Sequence, residues 1–353
     1  MLVALLFALT FDQTLQQANA ARDANRLDDA VRLYRQAVRL KPAAAEAWWY
    51  LGTILYERDD YKAAAPAFEK LTALDPRGGA GWALLGLCEF RLGAYEKALA
   101  NLHRGRTLGV AGNKDLDRVA RYHQAILSNR FGQFELAMAL LTEFAREGAD
   151  QPPIVEATGI AALRLPLLPA DLPNEKKEIV IQAGKAAFAG NARRMADARR
   201  ETEALLKRYP DHPNVHYMMG VLLLQEQNDQ AFAELERELE ISPQHVPARM
   251  QIALEYLQRG QAAKALPRAS EAAKLEPGNF AARTVHGRAL LEIGDSAAAI
   301  AELEAAVRLA PDSPQAHFHL AAAYAKAGRK PDAQRERETF RKLEEAREVR
   351  NGR

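Results

Sequence analysis

The chain has 353 residues, more than one compact core usually holds, so it is either two domains or an elongated repeat array. Hydrophobic residues are 48% and charged residues 27%, which excludes wholesale disorder, and a net charge of +2 gives no support to nucleic acid as the main partner. The single cysteine, Cys88, excludes an internal disulfide, a Cys-ligated zinc site and a CxxC redox pair, while abundant alanine beside 7% aromatics favours close-packed helices.

The chain opens on Leu2 to Phe11, nearly all apolar but about ten residues long, too short to span a bilayer as a helix. Ala18-Asn19-Ala20 has the form of a signal-peptide cleavage site, yet the first basic residue is Arg22, so the usual basic start is missing. Cleavage there would also remove most of the first helix of the first repeat. An exported chain and a structured N-terminal cap, cytoplasmic or otherwise, both stay open.

From here an alanine recurs at Ala30, Ala64, Ala98, Ala137, Ala198, Ala231, Ala265, Ala299 and Ala333, in steps of 34, 34, 39, 61, 33, 34, 34 and 34 residues. A second small residue keeps step at Ala18, Gly52, Gly86, Ala125, Ala186, Gly220, Ala253, Gly287 and Ala321. Prolines do the same at Pro42 and Pro76, then at Pro243, Pro277 and Pro311. Each unit predicts two short helices. In the unit from Ala45, Glu46 to Tyr56 is apolar at helical spacing, Arg58-Asp59-Asp60 turns the chain, and Tyr61 to Leu74 forms a second amphipathic run closed by Asp75-Pro76. The small residues are expected where two helices touch.

The 61-residue step contains an insertion. Pro152-Pro153 opens an apolar stretch, Ile154 to Leu165, followed by three prolines within Pro166 to Pro173, which cannot continue a helix. The expected organisation is an N-terminal block over 1–151, one unpaired helix and an extended Pro-rich linker over 152–173, and a C-terminal block over 174–353. The interruption reads as an irregular joint, with a hinge or a segment lying in the groove as alternatives. After Gly328 the charges alternate, which suits a polar capping helix at the end of an array.

The segments Ala47-Trp48-Trp49-Tyr50-Leu51-Gly52 with Ala64 and Phe68, and Gly81-Trp82-Ala83-Leu84-Leu85-Gly86 with Ala98, resemble tetratricopeptide repeats on their 34-residue period. The resemblance covers about nine units, almost the whole chain. It implies an all-α fold, a right-handed α-solenoid of helix pairs whose first helices line a concave face.

Enzyme signatures are absent: there is no G-x-S-x-G, H-E-x-x-H or phosphate-binding glycine loop. The eight histidines are scattered, so no metal or cofactor is expected. The resemblance instead implies a protein-interaction scaffold binding a peptide or protein partner. It would be non-catalytic, with no stable membrane span; the alternatives are an adaptor subunit recruiting substrates to a separate enzyme or envelope assembly machine, and a cryptic enzyme. Its inward positions fall on Trp49, Tyr50, Phe90, Arg91, Tyr122, His123, Asn129 and Arg130, with Leu84 and Leu87 beside them. In the second block they fall on Tyr217, Met218, Gln225, Met250, Gln251, Arg288, Phe318 and His319. Aromatics, Met, Arg and amides together suit an interaction groove, although the same rings could simply pad neighbouring helices. A carboxylate clamp is not expected: Asn19 falls at one clamp position, but Leu15, Tyr50, Ala80 and Leu84 occupy the others.

Overall fold

The computed structural model describes residues 10–110 and 112–351, so most of the apolar run from Leu2 lies outside the described residues. Every regular element among them is helical. Contacts divide the chain into two compact units that meet between Arg194 and Met195.

The first unit holds α1 (Phe11–Asp23), α2 (Leu27–Leu40), α3 (Ala45–Glu57), α4 (Tyr61–Leu74), α5 (Gly79–Arg91), α6 (Tyr95–Leu108), α7 (Lys114–Arg130), α8 (Phe134–Arg146), α9 (Pro152–Ala162) and α10 (Asn174–Asn191), with a 3-10 turn at Pro169–Asp171. The second holds α11 (Met195–Arg208), α12 (Val215–Gln225), α13 (Gln230–Ile241), α14 (Val246–Gln258), α15 (Ala262–Leu275), α16 (Phe280–Ile293), α17 (Ser296–Leu309), α18 (Pro314–Lys326) and α19 (Lys330–Asn351). Within each unit, helices pack chiefly on their neighbours in the chain. That local connectivity is what a repeat array requires.

Packing explains the two small-residue registers. A Cβ built on Gly52 would sit 2.8 Å from Phe68, on Gly86 2.8 Å from Leu102, on Gly220 2.7 Å from Leu235 and on Gly287 2.5 Å from Leu303. Each first helix thus leaves room for one large residue of its second helix, and Phe68, Leu102, Leu235 and Leu303 are fully buried. The alanines Ala30, Ala64, Ala98, Ala137, Ala231, Ala265 and Ala299 are fully buried too.

The turns between the helices also keep the period. Asn25, Asp59, Gly93, Gly132, Arg193, Gln227, Gly260, Gly294 and Gly328 all have positive φ. A left-handed residue closes one helix and redirects the chain into the next. Glycine does this without strain, and at Arg193 and Gln227 a side chain accepts the cost.

The long joints share another device. Trp48 Nε1 donates to the Pro42 carbonyl at 2.8 Å, Trp82 Nε1 to Pro76 at 3.1 Å and Arg283 Nε to Pro277 at 2.7 Å. In the same place His216 Nε2 meets the Pro210 carbonyl at 2.8 Å and His317 Nε2 meets Pro311 at 2.9 Å. The other nitrogens of these histidines reach Glu234 at 2.6 Å and Glu336 at 2.5 Å. Proline leaves its joint without an N–H, and a side chain six residues on ties the exposed carbonyl back to the helix.

The interrupted stretch differs from its expected form. α9 is not unpaired. It packs directly on α10, with Gly159 and Gly184 facing each other's backbones, and Ile154, Ala157, Ala161, Leu168 and Phe188 join the hydrophobic core of the first unit. The division drawn from the prolines at 152–173 and the division drawn by contacts at Arg194 therefore differ. α9 closes through Arg164, whose φ is 53°, just ahead of Pro166, and Leu168 and Leu172 between the prolines are buried, so the segment returns the chain to a helix that packs on its predecessor.

The N-terminal tripeptide Ala18-Asn19-Ala20 lies inside α1. Ala18 is fully buried and Asn19 Oδ1 accepts from the Tyr34 hydroxyl at 2.5 Å. At its start Thr10 and Gln13 form a reciprocal capping box.

Candidate partner-binding surface

Three sets of rings, each with a guanidinium, follow one another through the first unit. In the first, Tyr50 stacks on Tyr34 at 5.7 Å and the Arg22 guanidinium lies 3.9 Å from the Tyr50 ring centre. Tyr34 is fully buried, and burial pushes its hydroxyl up to about 12, so it stays a proton donor to Asn19. In the second, Tyr56 meets Tyr61 edge-on at 5.5 Å, and Arg91 lies 5.4 Å over Tyr61. In the third, Phe90 meets His123 edge-on at 4.6 Å and Tyr95 at 5.7 Å, His123 meets Tyr122 at 5.5 Å, and Arg130 lies 4.9 Å over Tyr95. Burial holds the His123 imidazole below its ordinary pKa, and the nearby Arg91 charge acts in the same direction. A neutral His123 suits a position against aromatic edges.

The sequence-derived positions divide three ways. Trp49, Tyr50, Phe90, Tyr122, His123 and Arg130 are half-buried and Arg91 is exposed, so all seven keep surface for a partner. Asn129 does not: it is fully buried and its Nδ2 donates to the Ala157 carbonyl at 3.0 Å, tying α7 to α9. Leu84 and Leu87 are also buried. Asn129 keeps the register of Phe90, and α9 covers it, taking its side chain on the Ala157 carbonyl.

In the second unit, Tyr217 lies 4.8 Å from the buried His245, and both amides at the start of α12, Asn214 N and Tyr217 N, donate to the buried Glu238 carboxylate. Met218 and Gln251 are half-buried and Gln225 is exposed. Met250 packs against Val246, Ala272 and Ala282 and serves the core more than the surface. Arg288 pairs with Glu292 at 2.8 Å. Phe318, 53% exposed, touches His319 at 5.2 Å and Phe340 of α19 at 5.5 Å.

His319 carries a pH prediction. Burial, reinforced by the Arg288 charge and opposed by Glu292, pushes its pKa down from 6.5 to about 4. The unfolded chain therefore takes up this proton first, and the group's contribution to stability is complete above pH 6.5 and is lost as pH falls toward 4. His286 is shifted in the same direction by burial. His319→Gln is thus expected to reduce, without abolishing, the acid slope of urea stability in this window. A slope equal to wild type contradicts the assignment.

Sequence counting missed the supporting residues on the second helices. Tyr34 holds Tyr50, while Tyr61 and Tyr95 hold Arg91 and Arg130. The signal was present: Tyr61, Tyr95 and Phe134 open successive second helices in the repeat register.

Comparisons with known proteins give the family. A tetratricopeptide repeat model matches residues 15–70, 53–104 and 189–246, and a TPR repeat model matches residues 287–328; together they take in more than half the chain. The chain belongs to the tetratricopeptide repeat family. The human Protein O-mannosyl-transferase TMTC3 is 25% identical over 256 residues, covering 68% of this chain and 27% of that protein. This chain thus spans about a quarter of that relative's length. Among solved structures, "MamA 41-end from Desulfovibrio magneticus RS-1" is 19% identical with a TM-score of 0.44, covering 48% of this chain and 96% of that one. "MamA AMB-1 P212121" is 25% identical with a TM-score of 0.41, covering 46% and 96%. Likenesses this loose say nothing of partners. Among the described residues no helix is long and apolar enough to cross a membrane, and no group of three or more His, Cys, Asp or Glu could hold a metal ion. Repeats of this family support a protein-interaction scaffold.

Proposed function

We propose that the chain is a non-catalytic scaffold whose first-helix surface in the N-terminal unit holds a peptide or protein partner. The observation that carries this is the series of half-exposed rings on α3, α5 and α7, namely Trp49, Tyr50, Phe90 and Tyr122; Arg22 and Tyr34 hold Tyr50, while Tyr95 and His123 hold Phe90 and His123 meets Tyr122. Rings held by neighbours lose little further freedom when covered, so a few of them dominate an interface. Trp49→Ala with Tyr50→Ala is expected to weaken capture of the native partner by roughly 2 kcal/mol, with Lys62→Ala on α4 unchanged. Tyr50 also stacks on Tyr34, so affinity is measured per folded molecule. Lost stability with unchanged affinity would mean that these rings only pad the helices.

A second reading, recruitment of substrates to a separate enzyme, draws on the relative whose name is that of an O-mannosyl-transferase and of which this chain spans 27%. It predicts that a transferase co-purifies with wild type and is lost with the double variant. Purification without one contradicts it.

A further inference from the structure

A cavity of about 430 Å³ opens beside α2 and the end of α3. Its lining residue Leu55 lies about 120–140° around α3 from Trp49 and Tyr50, at 3.6 residues per turn, so it opens on another side of that helix. Val31 and Leu55 form a buried apolar floor. Around it stand Arg32, Arg35, Arg39 and Arg58, four guanidinium groups against the carboxylates of Asp28 and Asp60.

Both carboxylates are already engaged. Asp28 pairs with Arg58 at 2.7 Å, and Asp60 caps α4 by accepting from the Ala63 amide at 3.2 Å. Arg32 reaches Asp29 at 3.3 Å. Arg35 and Arg39 make no ion pair, hydrogen bond or ring contact among the described residues. A guanidinium cannot discharge by losing its proton, so these two charges remain in place and offer bidentate forks to an incoming anion.

We propose that this basin is a second docking surface, for an acidic segment of a protein partner lying extended along α2. Spacing supports an extended peptide: Arg35 and Arg39 stand one turn apart, about 6 Å along the axis, close to the roughly 7 Å between alternate side chains of a strand. Carboxylates at alternate positions would meet the two forks in turn, with the intervening stem over Val31 and Leu55. The surface is independent of the first-helix rings.

The test is fluorescence anisotropy of the full chain with a labelled Glu-Ser-Glu-Ser-Glu-Ser peptide at low salt, beside its Gln-Ser counterpart. Wild type is expected to bind the first and not the second. Arg35→Gln with Arg39→Gln should weaken binding by about tenfold or more, since charge-assisted forks are lost. Arg35→Lys with Arg39→Lys should fall between, because lysine keeps charge without the fork. The equally charge-reducing Lys176→Gln with Lys177→Gln on α10 should leave binding unchanged. Equal weakening by the α10 pair would reveal diffuse attraction and overturn the proposal. So would absence of binding to wild type, or full displacement by millimolar inorganic phosphate, which would mark a small-anion site. Circular dichroism of each variant confirms that the comparison is between folded proteins.

Discussion

Gly159→Ala is expected to destabilise the first unit by about 3 kcal/mol, through backbone that must move. A Cβ there would lie 1.8 Å from the Val180 carbonyl oxygen, and one on Gly184 would lie 2.1 Å from that of Val155. α9 and α10 cross with their main chains in contact, and no side-chain rotation relieves the clash. The contrast is Gly220→Ala, where the added methyl crowds the Leu235 side chain at 2.7 Å and meets the Ala231 carbonyl oxygen only at an ordinary 3.4 Å. Leu235 can shift, and alanine regains up to about 1 kcal/mol of helix propensity, so that variant should cost far less. Urea unfolding of the two variants measures the difference. Equal losses would contradict the close crossing of α9 and α10.

Truncation after residue 151 should be more damaging than truncation after residue 194, by roughly 4 kcal/mol or more if several large side chains lose their cover. Cutting at 151 removes Ile154, Ala157, Ala161 and Phe188 from the core that also holds Leu140, Leu141 and Phe144. It also removes the Ala157 carbonyl that receives Asn129, and the ion pairs Arg130–Asp171 at 3.3 Å and Arg164–Glu135 at 2.6 Å. The fragment 1–194 keeps all of them. Urea melts of the two fragments decide between a boundary at the prolines and one at Arg194. If 1–151 unfolds at the same urea concentration as 1–194, the inserted helices are a separate joint after all.

Much of this was legible because a repeat states each packing rule several times. The glycine and alanine registers name the helix contacts, since a large residue such as Phe68 or Leu102 can approach only where its partner is small. The turn positions were partly legible: Arg58-Asp59-Asp60 reads as a turn, but Arg193 and Gln227 do the same work without a turn-forming residue as the marker. The proline joints hid more. Trp48 and Trp82 are recognisable as a motif, whereas His216, Arg283 and His317 take their place with unrelated side chains, because a carbonyl asks only for an N–H donor. Those histidines looked scattered in sequence for that reason. The α9–α10 pairing was hidden because a 61-residue step breaks the period, and only Gly159 and Gly184 betray it. At the surface, counting along first helices picks out Trp49, Tyr50, Phe90 and Tyr122, which keep exposed area, and also Asn129, which α9 buries. The arginine basin rests on charges spaced along a second helix, which a search confined to first helices passes over.

The central claim concerns which face of the first unit holds the partner. Site-specific photocrosslinking with benzoylphenylalanine measures it directly, at Glu46 and Arg91 on first helices and at Lys62 and Lys97 on second helices, all exposed. With the natural partner captured by wild type, crosslinks should concentrate at Glu46 and Arg91, several-fold over the second-helix positions. Crosslinks concentrated at Lys62 and Lys97 would place the partner on the other face and contradict the account.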